Sequence, residues 1–297
     1  MPMFKLEDCL VRLARLQDRE DLLAISRGIW EGTDYLPQVV DRWLAEDWFF
    51  VCEYQGRVIA CLKLSLLPDN VLWFEGLRVH RRWQGRGIAK LMNTEIFRFA
   101  AELKQENPAL AYEFCTYYKN YESLAITRKL GFVPQDGFYN LERRGVQRIV
   151  QPELVVDYGV EIFAHYPKYI ALNWHAVHSK AEALPFIKKH AVLFRSPQAL
   201  YLSGLVGEPC ITLLSAMPAD IEAELPYLQA FFGSRRKLSL TLPTEFAAQI
   251  PRLQQSKFYF WDDEGEVAMN MLVFALVNGI LKCTTFGSLN CTTIFNL

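Results

Sequence analysis

The sequence predicts an α/β protein built from two domains, and its length, composition and hydrophobic patterning support this. The chain has 297 residues, which is long for one compact core and comfortable for two domains of ordinary size. Because 51% of the residues are hydrophobic, an ordered core can form. In the first half, segments that alternate like strands and segments with helical spacing succeed one another. We expect one domain at residues 1–145 and another α/β domain at 146–297.

The first predicted elements are a strand and two helices. Residues 9–16 alternate apolar and polar side chains, as a half-buried strand does. After Asp21, the segment LLAISRGI places its apolar side chains on one helical face. The loop GIWEGTDYLP follows, and Pro37 then occupies a position that the first turn of a helix tolerates. A second short helix is therefore expected after this loop.

Three antiparallel strands and a crossover are expected next. WFFVCEY and RVIACLKLSLL flank the tight-turn pair Gln55-Gly56, and a turn at 68–70 leads into VLWFEGLRV. Apolar residues recur at helical spacing over 88–106, and ALAYEFCTYY at 109–118 resembles a strand again. A strand, a helix and a strand in this order favour a parallel crossover. A helix, ESLAITRKL, then ends at Gly131, and FVPQDGFYNLERR forms a last strand or hairpin.

The second half has the pattern of a further α/β domain without a motif of its own. Helices are predicted near 180–190, 220–231 and 244–254, and strands at 199–206, 210–215, 237–242, 257–262 and 267–276.

Composition excludes several classes of function. The 32 basic and 33 acidic residues nearly cancel, so no global field attracts a nucleic acid. The seven cysteines are widely spaced, as reduced core residues are, and among five histidines only His175 and His178 form a close pair, so no metal site is expected. The longest apolar stretch, MLVFALVNGI, is about half of a membrane span. We expect a cytoplasmic protein that binds neither membranes nor nucleic acids; its oligomeric state is open.

The stretch RRWQGRGIAKLM at 81–92 has the composition of an anion-binding turn. It joins a predicted strand to a predicted helix, where backbone N–H groups have no intrahelical partner. Gly85 and Gly87 let a phosphate approach those groups, and Arg86 adds a cation. A Rossmann site would need G-x-G-x-x-G after the first strand, and a P-loop would need G-K-[ST]. A surface turn with incidental glycines is the remaining alternative.

The order of elements and this stretch together resemble the GNAT superfamily of N-acetyltransferases. The later segment NYESLAITRKLGF is similar to that family's N-x-x-A-x-x-x-Y-x-K-x-G-F pattern. The resemblance implies a mixed, mostly antiparallel sheet with splayed parallel central strands and flanking helices. It also implies acetyl-CoA as acyl donor, with its pyrophosphate on the glycine turn. The family's [RQ]-x-x-G-x-[GA] pattern is matched by Gln84, Gly85, Arg86, Gly87, Ile88 and Ala89.

The resemblance further assigns roles to individual residues of the first domain. Glu75 lies where these enzymes often carry the carboxylate that takes the proton from the amine, directly or through water. It could instead face solvent or pair with an arginine. Backbone groups at Leu77 and Val79 would contact the acyl end of the cofactor and polarise the thioester carbonyl. Asn120 would contact the pantetheine arm.

One position departs from the family pattern. The tyrosine that is proposed to protonate the leaving thiolate falls on Thr127, which is a much poorer acid. Either Tyr117, Tyr118 or Tyr121 replaces it, or the thiolate leaves without a dedicated acid.

The loop GIWEGTDYLP, with LLAIS and FEGLRV, is similar to the histidine N-acetyltransferase family over roughly residues 20–105. This implies a small amine as acceptor, for example free histidine. Asp34 and Glu31 are suited to an ammonium or imidazole group, and Tyr35 and Trp30 to a flat ring. Each has an alternative as an ordinary packing residue.

Arg78 is suited to the carboxylate of an acceptor, or else it forms an ion pair with Glu75. Two other functions also stay open. One is acetylation of protein lysines, protein N-termini or polyamines, which needs an open groove. The other is a regulatory protein that binds acyl-CoA without turnover; Thr127 favours it and Glu75 disfavours it.

Overall fold

The structure is a computed structural model that describes residues 4–27, 29, 32, 34–205, 210–232, 237–261 and 268–276. By its internal contacts the chain divides into two compact units. Among the described residues, the first holds 4–66, 72–112 and Leu276, and the second holds 67–71 and 113–275.

The first unit contains four strands and three α-helices within its described residues. Their bounds are β1 Leu10–Leu13, α1 Arg19–Ser26, α2 Leu36–Ala45, β2 Phe49–Tyr54, β3 Arg57–Leu67, β4 Val71–Val79 and α3 Ile88–Glu106, with short 3₁₀ turns at Leu6–Asp8, Leu16–Asp18 and Arg81–Trp83. The strands lie in the order β1-β2-β3-β4, and β2 is antiparallel to both of its neighbours.

Both faces of this sheet are covered because β2 is apolar on both sides. Phe49 packs edge-on against Trp43 of α2, with ring centroids 5.3 Å apart. Its neighbour Phe50 points the other way, as successive strand residues do, and packs 5.2 Å from Phe99 of α3. The helix expected after Pro37 is present as α2, and Leu36, Val39, Val40 and Trp43 form its buried face.

The second unit contains most of the remaining elements. Their bounds are β5 Ala111–Tyr117, α4 Tyr121–Leu130, β6 Phe132–Arg144, β7 Glu153–Leu154, β8 Tyr169–Leu172, β9 His175–His178, α5 Leu184–His190, β10 Ala191–Arg195, β11 Leu200–Gly204, β12 Ile211–Leu213, α6 Ile221–Phe232, β13 Lys237–Leu242, α7 Ile250–Gln255 and β14 Met271–Leu276, with 3₁₀ turns at Val160–Phe163, Ala181–Ala183 and Thr244–Gln249. As predicted, α4 ends at Gly131, whose φ of 89° lies in the left-handed region.

The strands of the second unit run in the order β5-β14-β6-β13-β12-β11-β10-β7, and β8 and β9 form a separate hairpin. β12 and β13 are parallel and are connected by α6, whereas β5–β14, β6–β13, β10–β11 and β11–β12 are antiparallel. The pairs β5–β14 and β6–β13 join residues far apart in the sequence, and β6 and most of β5, from Glu113 onward, belong to the second unit. The domain limits predicted from sequence, 1–145 and 146–297, stay a prediction.

The structure differs from the sequence expectation in parts of the second half. The segment 257–262 was expected to be a strand, but its described residues make one isolated bridge, between Tyr259 and Glu142. β10 was missed because it follows α5 directly, without a turn that would mark its start. Within the described residues, no helix combines the length and the apolar character of a bilayer span. The predicted compartment stays a prediction.

Candidate functional site

The glycine turn, residues 84–87, leads directly into α3. Gly87 is the residue before the helix and has φ 83° and ψ 0°, and Gly85 has φ 74°. Residues other than glycine rarely adopt these left-handed φ values, so both positions favour glycine. Residues 84–87 are exposed, which leaves the backbone of the turn accessible to a ligand.

The start of α3 presents backbone donors. The first hydrogen bond of the helix runs from the Leu91 N–H to the Gly87 carbonyl at 3.0 Å. The N–H groups of Ile88, Ala89 and Lys90 therefore precede Leu91, the first residue whose N–H donates within the helix. A helix of 19 residues adds its dipole at the same end, so the turn favours an anion.

Side chains hold the turn in place. Gln84 Nε2 donates to the Val79 carbonyl at 3.1 Å, which ties the turn to the end of β4. The Arg86 guanidinium lies 5.1 Å from the ring centre of Trp83 and 5.3 Å from that of Phe4. These aromatic contacts keep the charge of an exposed arginine beside the glycines.

Glu75 lies on β4, half-buried, with Oε1 accepting a hydrogen bond from Ser65 Oγ of β3 at 2.7 Å. Sequence reasoning missed Ser65, although a single hydroxyl in the apolar run VIACLKLSLL was the available signal. The next residue, Gly76, has φ 72°, and a Cβ there would lie 2.7 Å from the ring of Trp43. Gly76 therefore lets the strand pass close to a fully buried tryptophan.

Asp34 and Arg78, both predicted to contact the acceptor, are paired with each other. Arg78 donates from Nε to Asp34 Oδ2 at 2.7 Å and from Nη2 to Oδ1 at 2.5 Å. Asp34 Oδ1 also accepts from the Leu36 N–H at 3.3 Å. Arg78 therefore forms an internal ion pair, as the alternative from the sequence allowed, but its partner is Asp34 and not Glu75. Direct contact of either residue with the acceptor stays a prediction.

Tyr35 completes this cluster. Its ring centre lies 4.4 Å from the Arg78 guanidinium, a cation–π contact. Desolvation of the phenol raises the pKa of Tyr35 to about 12. Burial lowers the pKa of Arg78, but Tyr35 and Asp34 outweigh burial, so the pKa of the guanidinium rises. Trp30 and Glu31, the other predicted acceptor residues, lie outside the described residues.

Leu77, Val79, Ile88 and Ala89 lie in the first unit with the glycine turn, whereas Tyr117, Tyr118 and Asn120 belong to the second unit. Asn120 caps α4, since its Oδ1 accepts from the Ser123 N–H at 3.2 Å. Tyr117 at the end of β5 packs 5.1 Å from Tyr118 and 5.1 Å from Trp261, measured between ring centres. The roles assigned to these residues by resemblance stay predictions.

Thr127 cannot readily serve as the missing acid. It is buried, and its hydroxyl donates to the Ser123 carbonyl at 2.6 Å. His178 likewise has both ring nitrogens engaged, with Asp69 and with Glu113. In the part of the chain that the structure describes, no cluster of three or more His, Cys, Asp or Glu residues has the geometry of a metal site.

Residues 17–132 match the model of the Acetyltransferase (GNAT) family. The chain is also similar to a curated histidine N-acetyltransferase of Oreochromis niloticus, with 32% identity over 94 residues, 31% of this chain and 27% of that protein. A histidine N-acetyltransferase of Xenopus tropicalis is 32% identical over 83 residues, 27% of this chain and 26% of that protein. The matched segment thus spans about a quarter of the length of these relatives.

Among solved structures, a GCN5-related N-acetyltransferase from Sphaerobacter thermophilus is similar over 92% of this chain and 96% of its own, with a TM-score of 0.58 and 12% identity. At this identity the likeness concerns the fold alone. It confirms the predicted α/β class with a mostly antiparallel sheet.

Proposed function

We propose that this chain, whose residues 17–132 match the model of the Acetyltransferase (GNAT) family, moves the acetyl group of acetyl-CoA to the amine of a small molecule. The observation that carries the proposal is the exposed turn with left-handed glycines at Gly85 and Gly87, which opens a 19-residue helix. The strand just before this turn carries Glu75. An anion-binding turn and a carboxylate on consecutive elements are what acetyl transfer to an amine requires.

The turn fits the pyrophosphate of acetyl-CoA. Gly85 has open space where a side chain would stand, and the N–H groups of the first helical turn lie at the helix start, where an anion is favoured. Arg86, held near Trp83, supplies a positive charge beside them. Bound acetyl-CoA supplies the thioester, whose carbonyl carbon is the electrophile.

Glu75 is proposed as the general base. An ammonium group must lose a proton before its nitrogen can attack the thioester, and a carboxylate accepts that proton directly or through a water molecule. Ser65 Oγ donates to one carboxylate oxygen of Glu75 at 2.7 Å and so helps to fix the orientation of the carboxylate. Backbone N–H groups near Val79 would stabilise the oxyanion that forms.

The thiolate must then gain a proton when the C–S bond breaks. Because the Thr127 hydroxyl donates to the Ser123 carbonyl, we assign this proton to Tyr117, Tyr118 or solvent rather than to Thr127. The acetylated amine and free CoA are the products.

Free histidine is the first acceptor to test. Relatives that are 32% identical to about 30% of this chain are named histidine N-acetyltransferases. The contacts among Asp34, Tyr35 and Arg78 give the region before α2 a rigid wall. We propose that the wall shapes a pocket for a small acceptor, with the Asp34–Arg78 pair acting as a positioning element.

A second candidate, an acyl-CoA-binding regulator without turnover, is favoured by the engaged hydroxyl of Thr127. Release of free CoA thiol separates the two. Acetyl-CoA is mixed with the protein and with free amino acids, polyamines and lysine peptides in separate reactions. Thiol release that is fastest with histidine or another free amino acid supports the proposal. If CoA thiol is released only with peptides or polyamines, the proposed free amino acid acceptor is wrong. If acetyl-CoA binds and no thiol is released with any amine, the regulatory function is favoured.

A further inference from the structure

A cavity of about 370 Å³ lies in the first unit between the end of α1 and the turn that follows β4. Its volume falls in the range of small-molecule sites. Its last lining residues, His80, Arg81 and Arg82, come just before the glycine turn in the sequence. It is lined by Ala24, Ile25, Arg27, His80, Arg81 and Arg82, so four of its six lining residues are basic.

The arginines of this cavity are not neutralised by the part of the chain that the structure describes. Arg27, Arg81 and Arg82 are exposed and form no ion pair with a described carboxylate. Arg19, the first residue of the helix that ends just before Arg27, is by contrast paired with Asp41 at 2.6 Å. Three like charges from two separate elements line one cavity, so an anionic ligand there would meet several cations.

His80 gives the cavity a fixed geometry. Its Nδ1 accepts a hydrogen bond from the Arg82 N–H at 3.2 Å, which caps the short turn Arg81–Trp83. A neutral imidazole that accepts at Nδ1 carries its proton on Nε2, where it can donate. The cavity therefore offers an imidazole donor together with the guanidinium groups.

We propose that this cavity binds a phosphate monoester. A carboxylate would neutralise one of the three arginines, whereas a phosphate monoester carries a charge of about −1.5 to −2 near neutral pH and three acceptor oxygens. Guanidinium groups bind phosphate oxygens in pairs, which suits Arg27 on one side of the cavity and Arg82 on the other.

Two molecules can supply this group. One is acetyl-CoA itself, through the 3′-phosphate of its ribose, because residues 80–82 lead directly into the turn assigned to the pyrophosphate. The other is a separate phosphorylated molecule. The first source rests on the proposed function, and the second does not depend on it.

The test uses the full chain, charge-removing variants and calorimetry. Arg27→Gln and Arg82→Gln keep much of the side-chain length and remove the charge. Arg19→Gln is the matched control, since it makes the same change at the other end of α1, away from the cavity. Binding of acetyl-CoA, 3′-dephospho-acetyl-CoA and inorganic phosphate is measured for each protein at one salt concentration, because surface charge contacts are screened by salt.

If the cofactor is the source, the wild-type chain binds acetyl-CoA at least about tenfold more tightly than its 3′-dephospho form. Arg27→Gln and Arg82→Gln remove most of that preference, and Arg19→Gln keeps it. If the source is separate, the two cofactors bind equally, and inorganic phosphate binds the wild type and Arg19→Gln but not the cavity variants.

The proposal is overturned if neither the 3′-phosphate preference nor phosphate binding changes in the cavity variants, or if Arg19→Gln changes them equally. A chain that binds no acetyl-CoA contradicts the proposed function, while the phosphate measurement still decides the cavity.

Discussion

Arg78 and Asp34 form a two-bond ion pair between β4 and the residues before α2, with N–O distances of 2.7 and 2.5 Å. Their side chains are only 6% and 1% exposed. Since each charge has lost its water, each depends on the other for compensation. The pair therefore fixes the start of α2, and with it Tyr35, against the strand that carries Glu75.

The first prediction concerns this pair. Asp34→Ala should lower the free energy of unfolding by about 3–5 kcal/mol, because it leaves the Arg78 guanidinium buried without a partner. The double variant Asp34→Leu/Arg78→Met should lose much less, since it removes both charges. The free energies of unfolding of the wild type, Asp34→Ala and the double variant are measured by urea unfolding. A single variant as stable as the wild type, but with a raised KM for histidine, would instead identify Asp34 as a direct acceptor ligand.

The second prediction concerns Glu75 and its partner Ser65. Glu75→Gln should lower kcat by roughly 10²–10⁴-fold, the usual effect of losing a general base, and leave acetyl-CoA affinity nearly unchanged. Ser65→Ala keeps the carboxylate and loses only its orienting hydrogen bond, so its kcat should fall by less. Steady-state kinetics with the best acceptor of the panel provides the comparison. Normal turnover in Glu75→Gln would remove this carboxylate from the mechanism.

The third prediction concerns Gly76. In Gly76→Ala the new Cβ would stand 2.7 Å from the Trp43 ring, and overpacking a fully buried side chain costs roughly 1–3 kcal/mol in addition to backbone strain. Gly56→Ala is the matched control, because Gly56 has a similar φ of 75° and no atom lies within 4 Å of the place its new methyl group would take. Thermal unfolding should show the larger loss for Gly76→Ala. Equal losses would mean that contact with Trp43 contributes nothing.

The fourth prediction concerns His178, which lies between two carboxylates in the second unit. Its Nε2 is 3.0 Å from Glu113 Oε1 and its Nδ1 contacts Asp69, which also binds Lys180 at 2.6 Å; Tyr169 donates to Glu113 at 3.0 Å. Hydrogen bonds to Glu113 and then to Asp69 outweigh desolvation and raise the pKa of His178 above its ordinary value of 6.5.

A raised folded-state pKa sets the sign of the pH dependence. The stabilisation from His178 is fully present below its unfolded pKa and is lost as pH rises through the folded pKa. The pKa of Asp69 is lowered, so its own contribution is lost only at acidic pH, outside this window. Urea unfolding from pH 6 upward should show the wild type losing stability relative to His178→Asn. A constant difference between the two proteins would show that folding does not raise the pKa of His178.

Much of the first unit was predictable because its signals are local. Each signal determines the structure of the few residues that contain it. The signals are the hydrophobic spacing, the Gln55-Gly56 turn and the glycines before α3. The second half depends on distant pairing: β14 joins β5 through contacts such as Val273 with Cys115, more than a hundred residues apart. A periodic pattern specifies a strand and its faces but not the strand beside it.

The same limit applies to the candidate site. Sequence reasoning selected both Asp34 and Arg78, because the segments GIWEGTDYLP and FEGLRV are similar to the histidine N-acetyltransferase family and the two charges suit a free amino acid. It could not pair them, since 44 positions separate them and no spacing rule links a loop to a strand. It missed Ser65 for the same reason, because the partner of Glu75 is set by the register of β3 against β4.

The most direct test of the account is calorimetric binding of acetyl-CoA to the wild type, Gly87→Val and Gly56→Val. Gly87 and Gly56 have similar φ values, 83° and 75°, so valine strains the backbone in both, but only Gly87 borders the helix start that should hold the pyrophosphate. The account predicts that the wild type and Gly56→Val bind acetyl-CoA alike and that Gly87→Val binds at least about tenfold more weakly. Unchanged affinity in Gly87→Val, or no binding by the wild type, would contradict it.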